Sequence, residues 1–330
     1  MKKVIYYLTV VLFSSVLLFN DVVYANDKYE VEIERNIKYG EGLILKDGQP
    51  TSVDLLMNIY KPITSDHKQR PAVFFTYGGA FQRGTPHERY EIDGQQDTSP
   101  EEYCKRLAQE GYVCFAINYR VTPDLPIPHL KGINENTLLN RDGIKLMMDR
   151  ASQVRADMNL PPLDPNNPSH IKIQSDAVLA AAEDLQSAVQ YVKQNAEELF
   201  VDKNKIIIGG FSAGAVTSWN VAYGLKEPVA AVFLLSGAPI VFELDNIKAG
   251  ENYPPILQFL AQTDLTGARI ANPLMIEHYQ KTGVEYEFAW VPGFGHFYPA
   301  GATSMSGDAR RIPVETRLLN FIKRVVEPTI

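Results

Sequence analysis

Short apolar runs recur along this chain, and between them the apolar residues return every three or four positions. Residues 71–76, 112–119, 205–210, 229–235, 255–261 and 286–291 are nearly continuous apolar stretches of strand length. Such runs fit strands buried on both faces, as in a parallel sheet. Residues 29–44 and 53–60 read as two further strands, joined by a turn at 46–50. The second partly alternates, as an antiparallel edge strand would. Helical periodicity covers 99–110, 141–158, 176–198, 272–282 and 314–326. The first of these opens on Ser99-Pro100-Glu101-Glu102, an N-cap serine with proline at the first position. Strands alternating with helices predict one α/β domain with a mainly parallel central sheet and helices on both faces.

Two segments break this rhythm. Residues 122–175 are rich in proline and asparagine and too long for a plain connection, so they are expected to form an insertion, part of a lid over a site. At the N-terminus, Lys2 and Lys3 precede an apolar run to Phe19, and small residues at Val23 and Ala25 suit a signal peptidase. Residues 1–25 are therefore expected to be a signal peptide, with residues 26–330 the mature domain, secreted or periplasmic and with no stable membrane insertion. Removing that segment takes away two lysines and one aspartate, moving the net charge from −7 to −8. An acidic balance argues against nucleic acid or an anionic membrane surface as partner. An oxidising destination permits a bridge between Cys104 and Cys114. Two buried apolar thiols are nevertheless the expectation, and neither cysteine has metal-ligand spacing.

The candidate chemistry gathers at the ends of the apolar runs. Gly210-Phe211-Ser212-Ala213-Gly214 follows three isoleucines and precedes a helix-like stretch. This is the G-x-S-x-G pattern of a nucleophile on a sharp strand-to-helix turn, where glycines relieve crowding and the helix N-terminus faces the reacting centre. A serine nucleophile needs a base, and the base needs an orienting acid. Asp264 stands just past the 255–261 run. His296 lies in a glycine-flanked loop after the last one. The order Ser212, Asp264, His296 is the one expected for this topology. His87 is the rival histidine, as a substrate contact. Gly78-Gly79-Ala80 follows the 71–76 strand, so backbone N–H groups of Gly79 and Ala80, with that of Ala213, are the expected oxyanion donors. Phe81, Phe211 and Phe297 are candidate substrate contacts.

These motifs resemble the α/β-hydrolase superfamily, in its esterase/lipase branch near the hormone-sensitive-lipase-like and carboxylesterase proteins. The likeness runs from about Ile37 to Val326 and includes residues 54–60, Tyr77–Phe81, Ile117-Asn118-Tyr119-Arg120 and Asp184. It implies the α/β-hydrolase fold and a serine carboxylic-ester hydrolase needing no metal or cofactor, acting on a short-acyl or carbohydrate-linked ester. Tyr77 stands where the family usually has histidine, and Ala80 where many members have a third glycine. The insertion has no matching counterpart and is where substrate choice is expected to reside. Two other readings fit the same scaffold. A serine peptidase would be expected to carry a propeller domain or an amine-binding acidic pair, and neither is visible. A non-catalytic binding protein would typically have lost a triad residue.

Overall fold

In the computed structural model, residues 28–92, 94–129 and 139–327 are described. Eleven strands form the main sheet: β1 (Val31–Lys46), β2 (Gln49–Pro62), β3 (Arg70–Thr76), β4 (Val113–Ile117), β5 (Pro126–Ile127), β6 (Val201–Phe211), β7 (Ala231–Leu235), β8 (Ile256–Thr263), β9 (Tyr286–Gly295), β10 (Thr303–Ser306) and β11 (Arg311–Pro313). Their spatial order is β11-β10-β9-β8-β7-β6-β3-β4-β2-β1-β5. From β4 to β9 neighbouring strands run parallel, and the flanking pairs on either side are antiparallel.

Successive residues of the central strands feed opposite cores, because side chains alternate across a strand. In β3, Ala72 and Phe74 pack on one face of the sheet and Val73 and Phe75 on the other. The second core lies under α1 (Pro100–Gln109) and α6 (Val314–Val326). The first lies under α2 (Arg141–Asp157), α3 (Pro168–Gln194) and α4 (Ala213–Trp219). The remaining long helix, α5 (Thr266–Thr282), follows β8. Helix α1 starts at a capping box in which Ser99 and Glu102 bond each other's backbone N–H.

Several boundaries differ from the sequence expectation. The presumed edge strand is internal: β2 pairs with β1 along one side and with β4 through Met57–Tyr60 on the other. Its hairpin turn is only Asp47-Gly48, both at positive φ, as a two-residue type I′ connection requires. Helix α3 begins at Pro168 rather than 176, because Asn167 caps it by accepting the Ser169 N–H. Helix α5 begins at Thr266 rather than 272 and carries Pro273 inside it. Strands β10 and β11 are additions that the apolar pattern does not signal.

The cysteines are also a correction. Both are buried, as expected, but Cys104 and Cys114 are disulfide-bonded, their Cα atoms 5.1 Å apart. Helix α1 packs directly on β4, and Gly111, in the left-handed region, turns the chain back so that the two positions face each other. The expected signal segment, residues 1–25, lies outside the described residues. Among the described residues no helix is long and apolar enough to cross a membrane, and no cluster of acids, histidines or cysteines could hold a metal ion.

Candidate active site

Strand β6 ends at Phe211, and Ser212 makes the turn into α4 with φ 52° and ψ −115°. Such a backbone costs on the order of 1–3 kcal/mol at a non-glycine residue and must be held by its surroundings. The Ser212 N–H donates to Leu235 O of the neighbouring β7 at 2.8 Å, and Ser212 O accepts the Val216 N–H at 3.0 Å. The flanking glycines are steric necessities. A Cβ on Gly210 would stand 2.3 Å from Thr76 O, and one on Gly214 2.1 Å from the same atom.

The histidine and the acid reach this serine from the ends of β9 and β8. His296 Nε2 lies 2.8 Å from Ser212 Oγ, and its Nδ1 lies 2.6 Å from Asp264 Oδ1. Asp264 is buried. Its Oδ2 accepts from Ser236 Oγ at 2.5 Å and from Ala261 N–H at 3.2 Å, while Oδ1 accepts the Leu265 N–H at 2.8 Å. Burial alone would raise the Asp264 pKa. The His296 charge, the His296 hydrogen bond and the Ser236 hydroxyl outweigh burial and hold the carboxyl below its usual value. With Asp264 ionised, His296 donates from Nδ1 and presents Nε2 as acceptor to the Ser212 hydroxyl.

The loop after β3 supplies the opposite wall. Gly79, Ala80 and Phe81 all have positive φ, at 112°, 54° and 62°. Strain of this kind in consecutive residues persists only where neighbours over-determine it. Tyr77 and Tyr119 provide one clamp. Their rings stack with centroids 4.3 Å apart, Tyr77 Oη donates to Tyr119 O at 3.2 Å, and Tyr119 Oη donates to Tyr77 O at 3.1 Å. Tyr77 thus holds the start of this loop through a reciprocal aromatic pair. A second clamp is a fully buried amide relay. Gln174 Nε2 donates to Ala80 O at 3.3 Å, and Gln174 Oε1 accepts from Gln82 Nε2 at 2.7 Å. Gln82 Nε2 also reaches Thr122 Oγ1 at 2.9 Å, and Gln82 Oε1 accepts from Arg155 Nη1 of α2 at 3.1 Å. The relay therefore joins the insertion to the strained loop.

Ser212, Ala213, Ala80 and His296 line a cavity of about 280 Å³. Its remaining walls are mostly apolar: Leu146, Met147 and Arg150 of α2, Val216 of α4, Ala238-Pro239-Ile240 after β7, and residues 265–268 and 271 around the start of α5. Gly79 is not among the lining residues. The aromatics expected to touch substrate are placed elsewhere. Phe81 is buried in the first core against Tyr119, and Phe211 and Phe297 are buried in the second core, flanking the His296 ring at 5.2 Å each. They brace the imidazole and do not line the cavity. His87 is exposed, sits 3.2 Å from Glu101 and is likewise absent from the cavity wall. The sequence reading named Tyr119 only within the 117–120 strand end and missed Ser236, Gln82 and Gln174. Only Ser236 carried a visible signal, as a serine-glycine step directly after a buried strand.

A mainly parallel sheet with the serine at a strand-to-helix turn, and the acid and histidine after later strands, defines the α/β-hydrolase fold. The chain's likeness is to the esterase/lipase branch of that superfamily. A family model described as BD-FAE matches residues 167–229, the stretch from the start of α3 through the serine turn. No curated protein matches the sequence. Among solved structures, native esterase 2 from the planctomycete Thermogutta terrifontis superposes with a TM-score of 0.53 at 20% identity, covering 92% of this chain and 95% of that one. The same esterase phosphorylated by paraoxon gives 0.53 at 21% identity, with 91% and 96% covered. Its tabun-phosphoramylated form gives 0.50 at 22% identity, with 81% and 84% covered.

Proposed function

We propose that the protein is a serine carboxylesterase acting on short-acyl or carbohydrate-linked esters through an acyl-enzyme. The observation that carries this reading is the unbroken hydrogen-bonded line from Ser212 Oγ through His296 to Asp264 at the head of an open cavity. In the reaction, Ser212 Oγ attacks the ester carbonyl as His296 Nε2 removes its proton. The buried Asp264 carboxylate fixes the imidazole tautomer and stabilises the imidazolium. N–H groups of Gly79, Ala80 and Ala213 receive the oxyanion, each such donor being worth on the order of 10²–10³ in rate. His296 then protonates the leaving alcohol, and water attacks the acyl-enzyme with His296 again as base. A cavity of about 280 Å³ favours a short acyl group over a long lipid tail. The N-terminal segment is proposed as a secretory signal, and the buried disulfide supports an oxidising destination.

The test is intact-protein mass after incubation with a fluorophosphonate, for wild type and Ser212→Ala. One adduct on wild type and none on the variant is expected. Ser212→Ala and His296→Ala should each lower turnover of a short-chain ester by several orders of magnitude. Full activity in Ser212→Ala would sink the mechanism.

A further inference from the structure

The cavity wall contributed by the insertion is not purely apolar. Arg150 of α2 lines the same space as Ser212 and His296. Its guanidinium carbon lies 5.8 Å from the centre of the Phe297 ring, and that ring adjoins the His296 imidazole. Its side chain bonds a neutral partner, Nη1 donating to Gln153 Oε1 at 3.0 Å. Among the described residues no carboxylate forms an ion pair with it. Asp157, whose charge acts on Arg150, is already shared with Arg83 at 3.8 Å. The Arg83 guanidinium stands over Tyr90, which stacks on the other aromatic of this ladder, Phe297. Arg155, one turn further along α2, is held by neutral oxygens, Gln82 Oε1 and Pro161 O. Asp149, also on the cavity wall, is exposed, where solvent screens it. Arg150 is thus the guanidinium on the cavity wall, beside the exposed Asp149, with Arg83 and Arg155 bonded away from the lining. Burial lowers the Arg150 pKa, Asp157 opposing and Arg83 adding to that effect.

We propose that Arg150 sets the charge class of the substrate: the site takes esters whose alcohol part carries a carboxylate or comparable planar anion. The proposal rests on the esterase reading. A partly desolvated guanidinium gains most from an anion that it can bond through two N–H groups at once. The side of the substrate follows from the chemistry. His296 protonates the departing alkoxide, so the alcohol half lies beside the imidazole, and the Phe297–Arg150 pair is on that side. The aromatic face holds the guanidinium in place before substrate arrives, which reduces the ordering cost of binding.

The test compares kcat/KM for 4-acetoxybenzoate with that for its neutral isostere 4-acetoxybenzamide, in wild type, Arg150→Gln and Arg150→Lys. Wild type should prefer the anion. Arg150→Gln should lower the anion-to-neutral ratio by about 10- to 100-fold, as loss of charged hydrogen bonds implies. Arg150→Lys should keep part of the ratio, and added salt should compress it in wild type more than in Arg150→Gln. Fluorophosphonate labelling of each variant reports whether the serine site is assembled. A ratio unchanged by Arg150→Gln in a labelled variant overturns the proposal and leaves Arg150 as a prop for Phe297. A wild type that prefers the neutral ester overturns it also, while the esterase reading stands. A wild type that is neither labelled at Ser212 nor active on any ester removes the esterase reading, and the proposal with it.

Discussion

Replacing Gln174 by leucine tests whether the buried amide relay sets the geometry of the loop after β3. The substitution nearly conserves volume and deletes the amide's bonds: those to Ala80 O and from Gln82 Nε2, and the longer ones from Thr122 Oγ1 and to Met147 Sδ. Gln82 Nε2 keeps Thr122 Oγ1 at 2.9 Å. Ala80 O keeps only Gln82 Nε2 at 3.4 Å, a marginal bond. One buried acceptor left poorly satisfied costs about 1–3 kcal/mol. A Tm reduction of about 3 °C follows for a loss near 2 kcal/mol in a domain of about 300 residues. Catalysis should suffer separately. Ala80 is held at positive φ, and without Gln174 the loop is free to relax toward a more ordinary conformation, turning the Ala80 N–H off the proposed oxyanion position. A tilted donor is less damaging than a lost one, so kcat should fall about 10-fold where a full deletion costs 10²–10³. KM should hardly change, because the interaction develops in the transition state. Steady-state kinetics on a short-chain chromogenic ester, beside a thermal melt, reads both quantities. A lowered Tm with kcat within a factor of two of wild type would refute the argument and reduce the relay to packing.

Asp97 offers a pH signature. Burial raises its pKa to about 7, against the lowering effect of the Tyr90 N–H that it accepts at 2.7 Å. The folded state then binds this proton more tightly than the unfolded chain, so its stabilising contribution is full below pH about 4 and is lost as pH rises through about 7. Asp97→Asn keeps an acceptor for Tyr90 without the charge. It should be more stable than wild type at pH 8 by a few kcal/mol, since a tenfold difference in proton affinity between folded and unfolded chain is worth about 1.4 kcal/mol. Urea midpoints at pH 5 and 8 check this: a wild-type midpoint that drops no more than the variant's goes against it. Replacing both Cys104 and Cys114 by alanine should cost somewhat under about 3 kcal/mol from the loop-closure entropy of a short loop. The bond itself predicts no alkylation of unreduced, denatured protein, whereas two adducts would show free thiols.

Much of the fold was legible because the central strands are buried on both faces and therefore read as bare apolar runs. Residues 113–117 and 231–235 are buried throughout, and nothing polar blurs them. The serine turn was legible for a related reason, since Gly210 and Gly214 have no room for a Cβ against Thr76 O. What stayed hidden depends on distant partners. Thr303–Ser306 is a strand because β9 and β11 run on either side of it, and no local period announces that. Gln82 and Gln174 look like two surface amides far apart in the chain, yet each is fully buried by the other and by Ala80. The aromatics misled because proximity in sequence to Ser212 and His296 does not set which way a side chain turns. Alternation at the end of β6 sends Phe211 into the second core, away from the ligand space.

Helix α3 runs without interruption from Pro168, beside the insertion, to Gln194 against the sheet, and carries both Gln174 and Asp184. Asp184, fully buried, grips Arg120 through the backbone N–H at 2.8 Å and through Nη2 at 2.7 Å. One rigid rod is thus bolted at one end to the loop after β3 and in its middle to the end of β4. A hinged cover would have to bend that rod or tear out its bolts. Helix α2 of the insertion meets that rod through Arg155, Gln82 and Gln174, so re-facing α2 would alter the cavity wall while leaving the rod alone.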